Sequence, residues 1–278
     1  MLSEFQRDTS VERLGGDAPA GSEPSSGRSL RYRADVRPGW EIGEISNGGY
    51  LLALAGTAMA DAVARPPLTV TAHFLTSVRP GPAEVDVVVV RAGRRFATVR
   101  ATLVRDGKPM LAVLGTFGVA DDNAVRRVDG DPPQVTTSSV PAAQPARPDE
   151  PPFPSMNERL DVTLRPGDDG FRRNEPPGHA EIVGSFAFAD GGPVDELALL
   201  LAADAFAPPI FNSGLAVAWV PTIELTVHVR AVPVVGPLRC VFRSRFISGG
   251  LLDEDGELWD DSGTLVAQSR QLSLYPRP

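Results

Sequence analysis

Two patterns of hydrophobic and polar positions alternate along the chain. One is a run with apolar residues on nearly every side. NGGYLLALAGTAMADAVA (47–64) is such a run and predicts a buried helix with Asn47 as its N-cap. ELALLLAADAFA (196–207) is another and predicts a second helix, stopped by Pro208 and Pro209. The other pattern repeats every two residues and predicts strands. A short strand is expected at Val11 to Leu14 and another at Leu30 to Val36. After the first helix come 68–78, 83–93, 95–105 and 109–119, separated by the turn signals RPGP, GR and DGK. The second half repeats the order: strands at 158–164 and 179–189, the helix, then strands at 219–231, 238–247, 251–260 and 264–275. A long helix followed by meandering strands indicates an α+β fold, not an alternating parallel sheet.

The breaks in the pattern divide the chain. Residues 15–29, GGDAPAGSEPSSGRS, read as a flexible loop, and the Pro-rich stretch 120–157 reads as an extended linker. The expected units are 1–119 and 158–278. Residue matches support a repeat: GPAEV (81–85) stands against GPLRC (236–240), and DGKPMLA (106–112) against DSGTLVA (261–267). Carried onward, Thr116 falls on Gln271. Carried backward, Thr71 falls on Thr222. Each helix would lie on its own curved antiparallel sheet, and the two sheets could pair edge to edge, covering strand edges otherwise left open.

Composition narrows the function. The net charge of −8 argues against nucleic-acid binding through the global field. Cys240 is the single cysteine, so neither an intrachain disulfide nor a cysteine metal cluster is expected. No signal-like N-terminus and no membrane-spanning run is read, so a cytoplasmic protein is expected. His73, His179 and His228 lack ligand spacing, no G-x-S-x-G elbow or phosphate loop occurs, and no metal or cofactor is expected. DEDGELWDD (253–261) reads as a solvated acidic turn. Arg94 and Arg95 sit in a hairpin turn, where a phosphate contact is the alternative to plain solvation.

One residue stands out. Asp204 is a lone acid inside the apolar run of the second helix. Burying a carboxylate is costly unless something pairs with it or uses it.

The helix-plus-sheet unit, present twice, resembles the double hotdog fold: two helix-wrapped antiparallel sheets forming a continuous sheet. NGGYLLALA, HFLTSVRPG and VRDGKPMLAVLGTFG in the first half, with LAADAF, PTIELTVHVR and TLVAQSRQLSLY in the second, resemble the acyl-CoA thioesterase II family and its thioesterase-like relatives. The resemblance implies hydrolysis of an acyl-CoA to the free acid and CoA, or, as the alternative, a non-catalytic acyl-CoA or acyl-carrier binder. It implies Asp204, Thr222 and Gln271 as the catalytic positions. Gln268 is a rival three residues before Gln271, and strand alternation allows only one of the two to face Asp204. Asp204 would serve as general base, with direct attack as nucleophile left open. Partial burial should raise its pKa, while hydrogen bonds to the charged form oppose the rise. The N–H groups of Gly48 and Gly49, at a helix start, are the expected oxyanion donors. The resemblance also allows a homodimer of double hotdogs.

Overall fold

The computed structural model describes residues 2–15, 25–121, 125, 127–135, 140–141 and 155–275. Most of the expected loop and much of the expected linker therefore lie outside the described residues.

The first half contains α1 (Glu4–Asp8), β1 (Val11–Arg13), β2 (Ser29–Val36), the hairpin β3 (Glu41–Ile42) and β4 (Ile45–Ser46), and α2 (Gly48–Val63). It continues with β5 (Pro67–Phe74), β6 (Gly81–Ala92), β7 (Phe96–Arg105) and β8 (Lys108–Gly118). The second half has β9 (Val140–Pro141), β10 (Leu160–Leu164), β11 (Glu181–Phe188), α3 (Ala198–Ala202), β12 (Thr222–Val229), β13 (Leu238–Arg243), β14 (Ile247–Ser248), β15 (Leu251–Trp259) and β16 (Leu265–Leu274). Asp106 and Gly107, both at positive φ, close the β7–β8 hairpin, the conformation that an Asp-Gly turn favours.

Fourteen strands form one sheet in the order β1-β2-β6-β7-β8-β5-β12-β16-β15-β13-β11-β10-β9, with β14 beside β15. Read from the outer strand toward the middle, β2-β6-β7-β8-β5 and β11-β13-β15-β16-β12 have the same topology. In each half the helix falls between the outermost of those strands and the innermost. The halves join edge to edge through β5 and β12, antiparallel, with Thr71 opposite Thr226 and their hydroxyls 2.8 Å apart.

This register corrects the sequence matches. Thr71 and Thr226 face each other at the seam, so Thr226, not Thr222, is the counterpart of Thr71. Val70 then corresponds to Leu225. Their partners on the next strands, Gly115 and Gln271, correspond in turn. Thr116 lies in the neighbouring row with Thr69 and Thr98, on the opposite face. The two hairpins carry matching bulges, at Leu103/Val104 and Leu258/Trp259, but the turn between Trp259 and its partner Leu265 is one residue longer than that between Val104 and Pro109, and this shifts the alignment by one residue relative to the ungapped match.

The helices fill the concave side. Helix α2 is buried on almost every face, as its all-round apolar pattern demands, and packs on β2, β5, β6, β7 and β8. Helix α3 is shorter than expected. Five buried residues form the helix, with Asp195 Oδ1 accepting from the N–H groups of Leu197 and Ala198 at its start. The chain leaves the helix before Asp204.

Helix α1 is an element that the periodicity does not show. Its signal is local: Ser3 and Gln6 form a reciprocal capping box. Phe5 packs on Trp40 and Phe188, and Trp40 stacks on Tyr50. The N-terminal arm thus ties the start of α2 to the second half. No described helix is long and apolar enough to cross a membrane.

Candidate active site

Polar groups from both halves meet where the start of α2 touches the turn after α3. Asn47 is 2% exposed and uses both ends of its amide. Its Oδ1 accepts from the Tyr50 N–H at 2.9 Å, which caps α2. Its Nδ2 donates to the backbone oxygen of Asp204 at 2.8 Å and to Asp204 Oδ2 at 3.0 Å. The Gly49 N–H donates to the same Oδ2 at 2.8 Å.

The two glycines are required by this approach. A Cβ on Gly48 would stand 2.8 Å from the Phe74 ring and 3.0 Å from Asp204 Oδ2. A Cβ on Gly49 would stand 2.8 Å from both the Leu200 carbonyl oxygen and Asp204 Cβ. Both of the expected oxyanion donors therefore lie against Asp204 in this structure. The Gly49 N–H is committed to Asp204, and Gly48 adds a weaker favourable interaction with it.

Asp204 is half-buried at the residue level, but its carboxyl is enclosed by protein. Burial pushes its pKa up to about 6, against the opposing pull of the Gly49 N–H, the Asn47 amide and the Gly48 N–H. The positive end of α2 favours the ionised form as well. All of its side-chain hydrogen bonds of defined geometry end on Oδ2.

Gln271 lies on the inner face of β16, 6% exposed, in a row with Leu225 and Glu254 on the flanking strands. Its Nε2 donates to Ser273 Oγ at 3.0 Å, and its Oε1 is buried without a partner. Gln268 points to the other face, where Arg230 donates to its Oε1. Thr222 begins β12 opposite Ser273 and immediately precedes a bulge. Thr222, Ser273 and Gln271 therefore sit side by side at one end of β12 and β16. No direct hydrogen bond joins Thr222 or Gln271 to Asp204 among the described residues.

Glu254 adjoins these groups and is not among the site residues expected from the sequence. The strand expected at 251–260 forms as β15, and the acids within it that read as a solvated turn therefore alternate between its two faces. Leu252, Glu254 and Leu258 are buried on its inner face, while Asp255 and Glu257, half-buried, face outward. Glu254 stands directly opposite Gln271 and feels the charge of Asp204. The period-two pattern holds this signal, because it places Glu254 on the same face as two leucines. At the other end of α2, Arg65, Arg94, Arg95 and Val119 line an open cavity of about 390 Å³. No set of three or more His, Cys, Asp or Glu among the described residues is arranged to hold a metal ion.

Similarity to known proteins agrees with this architecture. The acyl-CoA thioesterase N-terminal domain family matches residues 36–118, and the acyl-CoA thioesterase C-terminal domain family matches residues 132–275. A candidate thioesterase II of Thermobifida fusca is 30% identical, with a TM-score of 0.84 over 99% of this chain and 98% of that one. A hotdog-fold protein of unknown function from Alicyclobacillus acidocaldarius superposes at a TM-score of 0.81 over the whole of both chains, at 21% identity. The acyl-CoA thioesterase II TesB2 of Mycobacterium marinum shares the fold at a TM-score of 0.69 and 20% identity, over 99% of this chain and 98% of its own. An uncharacterised protein of Mycobacterium tuberculosis is 28% identical over 93% of this chain and 95% of its own. With both halves of its sheet matched in order, the chain belongs to the acyl-CoA thioesterase family.

Proposed function

We propose that the chain is a double hotdog hydrolase that splits acyl-CoA into free acid and CoA, with Asp204 as general base. The observation that carries this reading is the state of Asp204. A carboxyl whose pKa is near 6 is mostly ionised at pH 7, yet basic enough to take a proton from water. Asn47 and Gly49 hold Oδ2, so Oδ1 is the oxygen that would receive the proton. The water, losing that proton, attacks the thioester carbonyl carbon. As the tetrahedral intermediate collapses the C–S bond breaks, and the departing CoA sulfur takes the proton back from Asp204, which releases CoA thiol and restores the carboxylate.

Thr222 and Gln271 are the proposed water-positioning groups. Both are neutral, so they orient the nucleophile without quenching the base. Gln271 has one amide hydrogen on Ser273 and a second to offer. In this reading Gly48 and Gly49 serve the base.

The test is Asp204→Asn, assayed for free thiol release from a panel of acyl-CoA esters. Loss of a positioned general base should lower kcat by about 10²-fold or more. Unchanged hydrolysis in the variant would overturn the assignment of the base. Wild-type protein whose melting temperature rises with acyl-CoA, but which releases no thiol, would be a carrier rather than a hydrolase.

A further inference from the structure

Glu254 has a carboxyl that the reaction just described does not use. It is 8% exposed, and no hydrogen bond or ion pair reaches it among the described residues. Across the strand pair stands Gln271, whose Oε1 is buried and unpartnered. Side chains directly opposite in an antiparallel pair start about 5 Å apart at Cβ, so carboxyl and amide are within reach of each other. An ionised carboxylate and an amide oxygen are both acceptors, and neither can satisfy the other. One proton between them satisfies both.

The surroundings favour that proton. The charge of Asp204, in the turn after α3, bears on Glu254, and Asp253 and Asp255 flank it on its own strand. The nearby cations, Arg245 and Arg270, are paired with Asp253 and Asp255. Beyond the end of β13, Ser244 offers only a neutral hydroxyl.

We infer that Glu254 stands as a neutral carboxylic acid whose O–H donates to Gln271 Oε1, a positioning residue that fixes the amide so its second Nε2 hydrogen points toward the attacking water. Burial, with Asp204 as the largest of three neighbouring negative charges, drives the carboxyl well above the ordinary range, in the same direction. The inference rests on the hydrolytic reading for its role and on geometry for its protonation.

Two measurements test it. In pH–rate profiles with an acyl-CoA substrate, Glu254→Ala should lose about tenfold in kcat, the scale of one lost hydrogen bond. Glu254→Gln, which restores an N–H donor, should recover most of that loss. Wild type should lose kcat on the alkaline side as Glu254 ionises, and Glu254→Gln should lack that limb. A Glu254→Gln variant as impaired as Glu254→Ala, or one keeping the alkaline limb, would overturn the inference. Infrared difference spectra supply a readout independent of turnover. A protonated carboxyl band at pH 7 should vanish in Glu254→Gln and persist in Asp204→Asn. Absence of that band from wild type sinks the proposal even if hydrolysis is confirmed. A band that behaves as expected in a protein releasing no thiol refutes the positioning role along with the hydrolytic reading and leaves only the protonation standing.

Discussion

Asn47 joins secondary structure to chemistry in one side chain. Its oxygen caps α2 and its nitrogen holds Asp204, so the same rotamer serves both. Asn47→Asp separates the two tasks. An acceptor for the Tyr50 N–H survives, but the donor to Asp204 is replaced by a second carboxylate. Like charge adds to burial, so the pKa of Asp204 should climb above its value of about 6. A base works only when ionised. The acid limb of kcat/KM should therefore move from about pH 6 toward neutrality. Once the limb lies above pH 7, activity at pH 7 should fall about tenfold for each further pH unit it moves. A pH–rate profile measures it, and an unmoved limb would remove Asn47 from the tuning of the base. The sequence shows Asn47 as a cap because capping is local. Its second bond spans 157 residues and has no local signature.

At the level of elements, the decisive contact is α2 against α3. Gly49 and Gly56 open the path: a Cβ at Gly56 would meet only the ends of Leu197 and Leu200, at 3.2 and 3.0 Å. At Gly49 it would meet a backbone oxygen, which cannot rotate away. Gly49→Ala should therefore destabilise the protein by about 1–3 kcal/mol in denaturant melts, and Gly56→Ala by less. Equal effects at the two positions would contradict the packing described. The same contact explains why the second helix is shorter than its sequence suggests. The run 196–207 has no internal break before Pro208, so periodicity extends it. In the fold, the Asp204 carbonyl, which Pro208 four residues on could not have satisfied for lack of an N–H, accepts from Asn47, and the chain turns out. In β15 the strand forms where expected, but one of its acids is misplaced by the solvated reading. Its acids suggest solvent, yet alternation places Glu254 inside.

Across the whole molecule, a symmetric scaffold carries asymmetric chemistry. The seam at Thr71 and Thr226 relates the halves, and it lays Gly115 and Val99 of the first half on Gln271 and Glu254 of the second. The first half keeps an apolar inner face there and contributes Asn47 and Gly49 to its partner's acid instead. Two enclosed carboxyls on one side also set the pH dependence of stability. Asp204 and Glu254 both have folded values above their ordinary 3.8 and 4.5. Below the ordinary values both states hold the proton and neither residue matters. As pH rises past them, the unfolded chain releases the protons more readily than the folded one, so stability falls. Asp204 stops contributing to that fall above about pH 6, whereas Glu254 continues further. Glu254→Gln should melt higher than wild type at pH 8 and about equal to it at pH 4. A variant less stable than wild type at pH 8 would mean that Glu254 is ionised and paired.

The sequence by itself determined the strands, the buried first helix, the doubling of the unit and the suspicion that falls on Asp204. Each of these follows from periodicity, turn chemistry or the cost of an acid in an apolar run, all carried by neighbouring residues. Only the tertiary structure decided the partners of Asp204, the inward place of Glu254 opposite Gln271, and the true pairing of the repeat. Those depend on hydrogen bonds between residues far apart in the chain, and on a hairpin turn one residue longer in the second half, which shifts the match by one residue and so exchanges one face of a strand for the other.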